Sequence, residues 1–173
     1  GTEDPVQVFD TANGAERLKI TEEVPTGSLL QGPCCPQFSP DGQSLAYTVF
    51  GTVKLYDIST KTDKPKLQHQ YLCDSCSTMT PQFSSDGRTF AIDFHQCPSG
   101  GQVVALFDVE TEKELVRVPL WSWSSGGPYH EPLFELNYAF SQDSRFFAAG
   151  ADAGGPVRLF EAATGKELAH MDL

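Results

Sequence analysis

One pattern recurs along this chain and limits its fold more than any other feature. The segments PQFSPDGQSLAYTVF (from Pro36), PQFSSDGRTFAIDF (from Pro81) and NYAFSQDSRFFAAG (from Asn137) share one design. Each has an aromatic residue, a serine, a polar turn holding an aspartate, and then an apolar or alternating run. A second unit follows each of them: VKLYDISTKTDKPKLQHQ, VVALFDVETEKELVRV and VRLFEAATGKELAHM. PVQVFDTANGAERLKI, near the N-terminus, is a fourth copy of that second unit alone. Equivalent aromatics (Phe9, Tyr56, Phe107, Phe160) stand about 47 to 53 residues apart, a period that indicates stacked structural repeats.

Each repeat reads as four short strands. Strand a ends at Phe38, Phe83 or Phe140, and a tight turn follows at Asp41-Gly42, Asp86-Gly87 or Asp143-Ser144, a hairpin signal. Strand b spans Ser44–Phe50, Thr89–Phe94 and Arg145–Ala149, and strand c ends in LYD, LFD or LFE. Strand d follows turns such as Asn13-Gly14 and Thr164-Gly165 and carries more charge, as an outer edge does. No segment reads as a helix, because β-branched and aromatic residues dominate between frequent turns.

FSPDG before a strand, then GTVKLYD or VRLFEAATGKEL, resembles WD40 repeats, and the likeness spans nearly the whole chain. It implies an all-β chain of β-propeller blades. The Trp-Asp pair of such repeats is replaced by Tyr56-Asp57, Phe107-Asp108 and Phe160-Glu161, and the Gly-His pair before strand a is absent. The buried His–Asp network of WD40 blades therefore lacks its usual residues. The PQFSPDG blade start also resembles TolB-like and peptidase-associated propellers.

About three and a half four-stranded antiparallel blades are expected. Residues 1–24 supply strands c and d of an incomplete blade, and residues 30–73, 76–120 and 133–173 supply the others. Rings close with about 4 to 8 blades, so this number does not close a ring alone. Three solutions stay open: part of a larger propeller, self-association, or docking on another subunit. In each, stability depends on further polypeptide.

The formal net charge of −11 repels a phosphate backbone, and Lys61, Lys64 and Lys66 surround Asp63 and make no basic patch. Nucleic acid is excluded on this ground. No apolar run approaches the roughly 20 residues of a membrane helix. The chain has no Asn-X-Ser/Thr sequon, which leans toward an intracellular location.

Propeller topology puts the a–b and c–d turns at one end of each blade and the b–c and d–a loops at the other. The first set is short. The second is long and unusual: Glu22–Pro33, Cys73–Thr80, His95–Gly101, Trp121–Pro132 and Ala151–Pro156. Within it, Trp121, Trp123, Tyr129 and His130 form the candidate partner-binding stretch, since aromatics on a Gly/Ser-rich loop offer large contact area with a polar handle. The alternative is that the tryptophans pack on the blades.

Cys34, Cys35, Cys73, Cys76 and Cys97 fall near the same end. They read as ordinary free thiols, as one or two disulfides, or, with the Cys73-x-x-Cys76 pair and His95, as a zinc site. No GxSxG, GxxxxGK[ST] or HExxH motif occurs, and His69, His95, His130 and His170 fall in unrelated places. Asp93 and Asp152 interrupt apolar patterns without an evident partner. The expectation is a protein-interaction scaffold and not an enzyme. An accessory or gating propeller of an enzyme, or a cysteine-based metal or redox module, are the alternatives.

Overall fold

The computed structural model describes residues 5–22, 34–49, 52–60, 64–70, 81–95, 101–122, 136–151 and 156–171. All regular structure among them is β-strand. Two compact units make up the chain, Gly1–Pro81 and Gln82–Leu173.

In the first unit, β1 (Val6–Phe9) pairs antiparallel with β2 (Glu16–Ile20). A four-stranded antiparallel sheet follows in chain order: β3 (Cys34–Phe38), β4 (Ser44–Val49), β5 (Thr52–Asp57) and β6 (Leu67–Gln70). The second unit repeats that arrangement twice. One sheet holds β7 (Gln82–Phe83), β8 (Thr89–His95), β9 (Gly101–Asp108) and β10 (Glu114–Ser122). The other holds β11 (Leu136–Phe140), β12 (Phe146–Ala151), β13 (Val157–Glu161) and β14 (Glu167–Met171). These sheets are the expected blades, with strands a to d in sequence.

Register explains the repeat. Leu45 lies opposite Tyr56, Phe90 opposite Phe107 and Phe147 opposite Phe160, so the strand c aromatic meets a large apolar residue of strand b in each blade. Phe90 and Phe107 stack with ring centres 5.0 Å apart. Strand c then shifts register on entering the c–d turn, so that Phe9, Phe107 and Phe160 face Glu16, Glu114 and Glu167. Strands b and c of the first two full blades are mostly buried, and β4 is buried from Leu45 through Val49, without the period-two alternation of a half-exposed strand.

Among the described residues, each unit has an apolar core. Val8, Leu18 and Ile20 of the β1–β2 sheet pack against Leu45, Tyr47, Val49 and Tyr56 of the next blade. Ala91, Val104, Leu106 and Val118 pack against Phe147, Ala149, Phe160 and Ala162. Burying each Val, Leu, Ile or Phe among them stabilises by roughly 1.5–3 kcal/mol, so these contacts help hold the sheets of each unit together.

Candidate functional site

The turn end of each blade is built from one repeated device. Ser39 Oγ donates to Asp41 Oδ1 (2.6 Å) and accepts the Ser44 amide (2.8 Å), while Asp41 accepts the Gln43 amide (3.0 Å). Ser84, Asp86, Arg88 and Thr89 repeat this set, as do Ser141, Asp143, Arg145 and Phe146. The turn backbone needs a left-handed residue, supplied by Gly42 (φ 68°) and Gly87 (φ 70°). In the third blade Ser144 takes that conformation (φ 58°), and its hydroxyl accepts the Asp86 amide at 2.9 Å. The c–d turn is tied to the a–b turn beside it by Ile58 N–H to Gln43 O, Val109 N–H to Arg88 O and Ala162 N–H to Arg145 O.

These bonds set the acidity of the turn carboxyls. Hydrogen bonds from Ser39 and Ser141 hold Asp41 and Asp143 below the usual carboxylate range. For Asp86, burial pushes upward, but Ser84 and the Arg88 amide outweigh it. Ser59 lowers Asp57 in the same way, and Arg17 lowers Asp10. A carboxylate held ionised by its own turn is a poor proton donor or acceptor near neutral pH. The recurring acids are structural.

A polar cluster in the first unit was not apparent in the sequence. Glu22, which follows β2, is buried at 6% exposure. Its carboxylate accepts the Tyr47 hydroxyl and pairs with Lys54 Nζ at 2.5 Å, and the Tyr56 hydroxyl lies 3.5 Å away. Tyr47 and Tyr56 stack with ring centres 5.5 Å apart. Burial, reinforced by the Glu22 carboxylate, raises the Tyr47 pKa, so this phenol stays protonated and donates. The cluster joins the segment after β2 to β4 and β5. The repeat alignment held a signal for it. Tyr47 occupies the position of Ile92 and Ala149, and Lys54 that of Ala105 and Arg158; of the three full blades only the first sets a hydroxyl beside a cation on this face, a pair that calls for a shared acceptor.

Asp93, which had no evident partner in the sequence, accepts the Tyr138 hydroxyl at 3.0 Å from the neighbouring sheet. Arg158 makes a further bond between these two sheets, donating to Pro119 O at 3.1 Å while pairing with Glu167 at 2.5 Å. Both are packing contacts within the second unit.

Of the expected partner-binding residues, Trp121 lies near the end of β10 opposite Gln102, beside a register shift. Trp123, Tyr129 and His130 lie outside the described residues. Cys34 opens β3 opposite Thr48, and Cys35 follows as a half-buried free thiol in a left-handed conformation (φ 55°), where β3 departs from regular register. Cys73, Cys76 and Cys97 lie outside the described residues, and so does Asp152. Among the described residues no three His, Cys, Asp or Glu side chains group as metal ligands. No helix among them is long and apolar enough to cross a membrane.

No protein-family model and no curated protein matches the chain. Solved structures do. The Swd1 β-propeller domain from Myceliophteria thermophila aligns with a TM-score of 0.59 at 14% identity, over 98% of this chain and 49% of that one. Hydrazine synthase from Kuenenia stuttgartiensis aligns with a TM-score of 0.58 at 16% identity, over 98% and 43%. The periplasmic gluconolactonase PpgL of Pseudomonas aeruginosa aligns with a TM-score of 0.50 at 20% identity, over 88% and 42%. The chain thus spans under half the length of each. Likeness at this identity speaks to fold, and with the strand order above it identifies the sheets as blades of a β-propeller.

Proposed function

We propose that this chain is a protein-binding scaffold, a propeller segment acting within a larger protein or complex, with no catalytic centre or cofactor requirement of its own. The observation that carries this reading is the asymmetry of the blades. At one end every recurring acid and hydroxyl is engaged in its own turn, which leaves a rigid, chemically quiet frame. The loops that vary between repeats, including the Trp121–His130 stretch, connect strands at the other end, where a rigid scaffold tolerates variation and binding residues accumulate. Partner contact through Trp121 and Trp123 fits the enrichment of tryptophan at interface centres. The net charge of −11 favours a partner with a basic surface.

Affinity capture with the whole protein, followed by the same capture with Trp123→Ala, tests this. The expected result is a stoichiometric protein partner whose recovery falls at least tenfold in the variant while the thermal midpoint is unchanged. A large drop in thermal midpoint with partner recovery intact places the tryptophan in packing and refutes the reading. A catalytic partner or catalytic domain recovered with the chain favours the accessory-propeller alternative.

A further inference from the structure

Asn13-Gly14, in the turn that joins β1 to β2, is the only asparagine-glycine pair of the chain. We infer that it is a site of spontaneous deamidation, held unreactive by the folded turn and released when that turn opens. Water is the only reagent. The Gly14 nitrogen, after losing its proton to solvent, attacks Asn13 Cγ. A new N–Cγ bond closes a cyclic succinimide as the Cγ–Nδ2 bond breaks, and the amide nitrogen takes a solvent proton and leaves as ammonia. Water then opens the ring at either carbonyl, giving aspartate or isoaspartate, the latter with an extra methylene in the main chain. No electrons are exchanged, and each event adds one negative charge.

Residue type and exposure single out this pair. Glycine places no side chain beside the attacking nitrogen. The other asparagine of the chain, Asn137, precedes Tyr138, whose bulk obstructs the same attack, and it lies in β11 paired with Gly150. Asp41-Gly42 and Asp86-Gly87 also sit in tight turns, but their carboxyls stay ionised near neutral pH, and a carboxylate offers no leaving group. Asn13 and Gly14 are exposed. Exposure belongs to the turn position itself. Thr111 and Thr164 stand at the same place in later blades and are exposed as well, Thr164 even though the adjoining Gly165 packs on Val116.

The folded turn engages both reacting groups. Gly14 N–H donates to Asp10 O at 2.8 Å, so the nucleophile keeps its proton. Asn13 Oδ1 accepts the Ala15 amide at 2.9 Å, which ties the side chain to the residue beyond Gly14. Asp10 braces the turn from the other side: its Oδ1 accepts the Ala12 amide at 2.8 Å, and its carboxylate pairs with Arg17. Attack therefore waits for local opening, whose free energy sets the rate. Aspartate at position 13 keeps an acceptor for the Ala15 amide. Isoaspartate lengthens the main chain between Asp10 O and Gly14 N and unseats the bond that closes the hairpin, whose Val8, Leu18 and Ile20 pack on the next sheet. This chemistry needs only the turn and stands apart from the scaffold reading.

The test incubates the whole protein, shown to be folded by circular dichroism, beside the same protein unfolded in guanidinium chloride at one pH and temperature. Peptide mass spectrometry with isoaspartyl methyltransferase labelling follows residue 13. Asn13 is expected to convert to aspartate and isoaspartate in the unfolded protein, and at least about tenfold more slowly in the folded one. Asp10→Ala should raise the folded rate at least about threefold and leave the unfolded rate unchanged. Asn13→Thr should abolish labelling of this peptide without lowering the thermal midpoint, since Thr164 Oγ1 accepts the Lys166 amide at 3.3 Å in the equivalent turn. Purified isoaspartyl protein should melt below Asn13→Asp. Equal rates in folded and unfolded protein, a folded rate that Asp10→Ala does not change, no conversion of Asn13 in the unfolded protein, or an isoaspartyl form as stable as Asn13→Asp overturns the inference.

Discussion

Replacing Glu22 by alanine removes the acceptor that holds Tyr47 and Lys54 in the first unit. Its cost follows from what is left behind. The Lys54 ammonium, with its side chain 16% exposed, loses its carboxylate, and breaking a well-buried ion pair costs about 3–5 kcal/mol. Lys54 retains some access to water, which moves this pair to the lower end of that range. Tyr47 is fully buried and keeps only a long contact with the Tyr56 hydroxyl at 3.3 Å, where an unsatisfied buried hydroxyl costs about 1–3 kcal/mol. These two effects share one network and do not add fully. The expected loss is about 3 kcal/mol, read as a thermal midpoint lower by about 6–12 °C for a chain of this size. Glu22→Gln keeps an acceptor for Tyr47 and loses only the charge, so it should cost about half as much. Urea unfolding of wild type, Glu22→Ala, Lys54→Met and the double variant measures the coupling directly, with about 1 kcal/mol or more expected. A Glu22→Ala loss under about 0.5 kcal/mol, or additive single losses, would refute the view of this cluster as a clamp between sheets.

Two further outcomes follow from the turns. Glu112 occupies the position of Gly14 and Gly165 with φ 62°, a conformation costing a non-glycine residue about 1–2 kcal/mol. Glu112→Gly should therefore stabilise by about 0.5–1 kcal/mol after the added chain entropy of glycine is subtracted, and a destabilised variant in urea unfolding would contradict the turn geometry. The turn carboxyls Asp41, Asp57, Asp86 and Asp143, together with Asp10 and Glu167, have pKa values lowered in the folded state. Their contribution is present above the unfolded pKa and lost as pH falls through the folded one. The urea midpoint should thus be nearly flat from about pH 7 to 5 and fall below about pH 4, and an equal midpoint at pH 3 and pH 6 would show that these turns are not formed as described.

The blades were legible because their determinants are local and repeated. The Ser-x-Asp-Gly hairpins and the apolar-aromatic-acid ends of strand c each fix a turn or a register within about ten residues, and three copies make the pattern unmistakable. Contacts between sheets were not legible in this way. Glu22 meets Lys54 and Tyr47 across 32 and 25 residues, and Asp93 meets Tyr138 across 45, so only the packed sheets bring them together. Phe9 shares its sequence context with three buried aromatics yet is exposed, in keeping with its place in the incomplete first blade, where β1 pairs only with β2 among the described residues. The candidate binding loops rest on Trp123, Tyr129, His130, Cys73, Cys76 and Cys97, which lie outside the described residues, so the aromatic stretch remains a property of the sequence.

The repeated blade is tested most directly by cross-strand proton contacts in nuclear magnetic resonance spectra of the chain. Strands b and c should show them at three equivalent pairs, Ala46 with Leu55, Ala91 with Leu106 and Ala148 with Leu159. Strands c and d should show them at Val8 with Leu18, Leu106 with Val116 and Leu159 with Ala169. Sequential amide contacts typical of helix in any of these segments, or a parallel register between them, would contradict the blade.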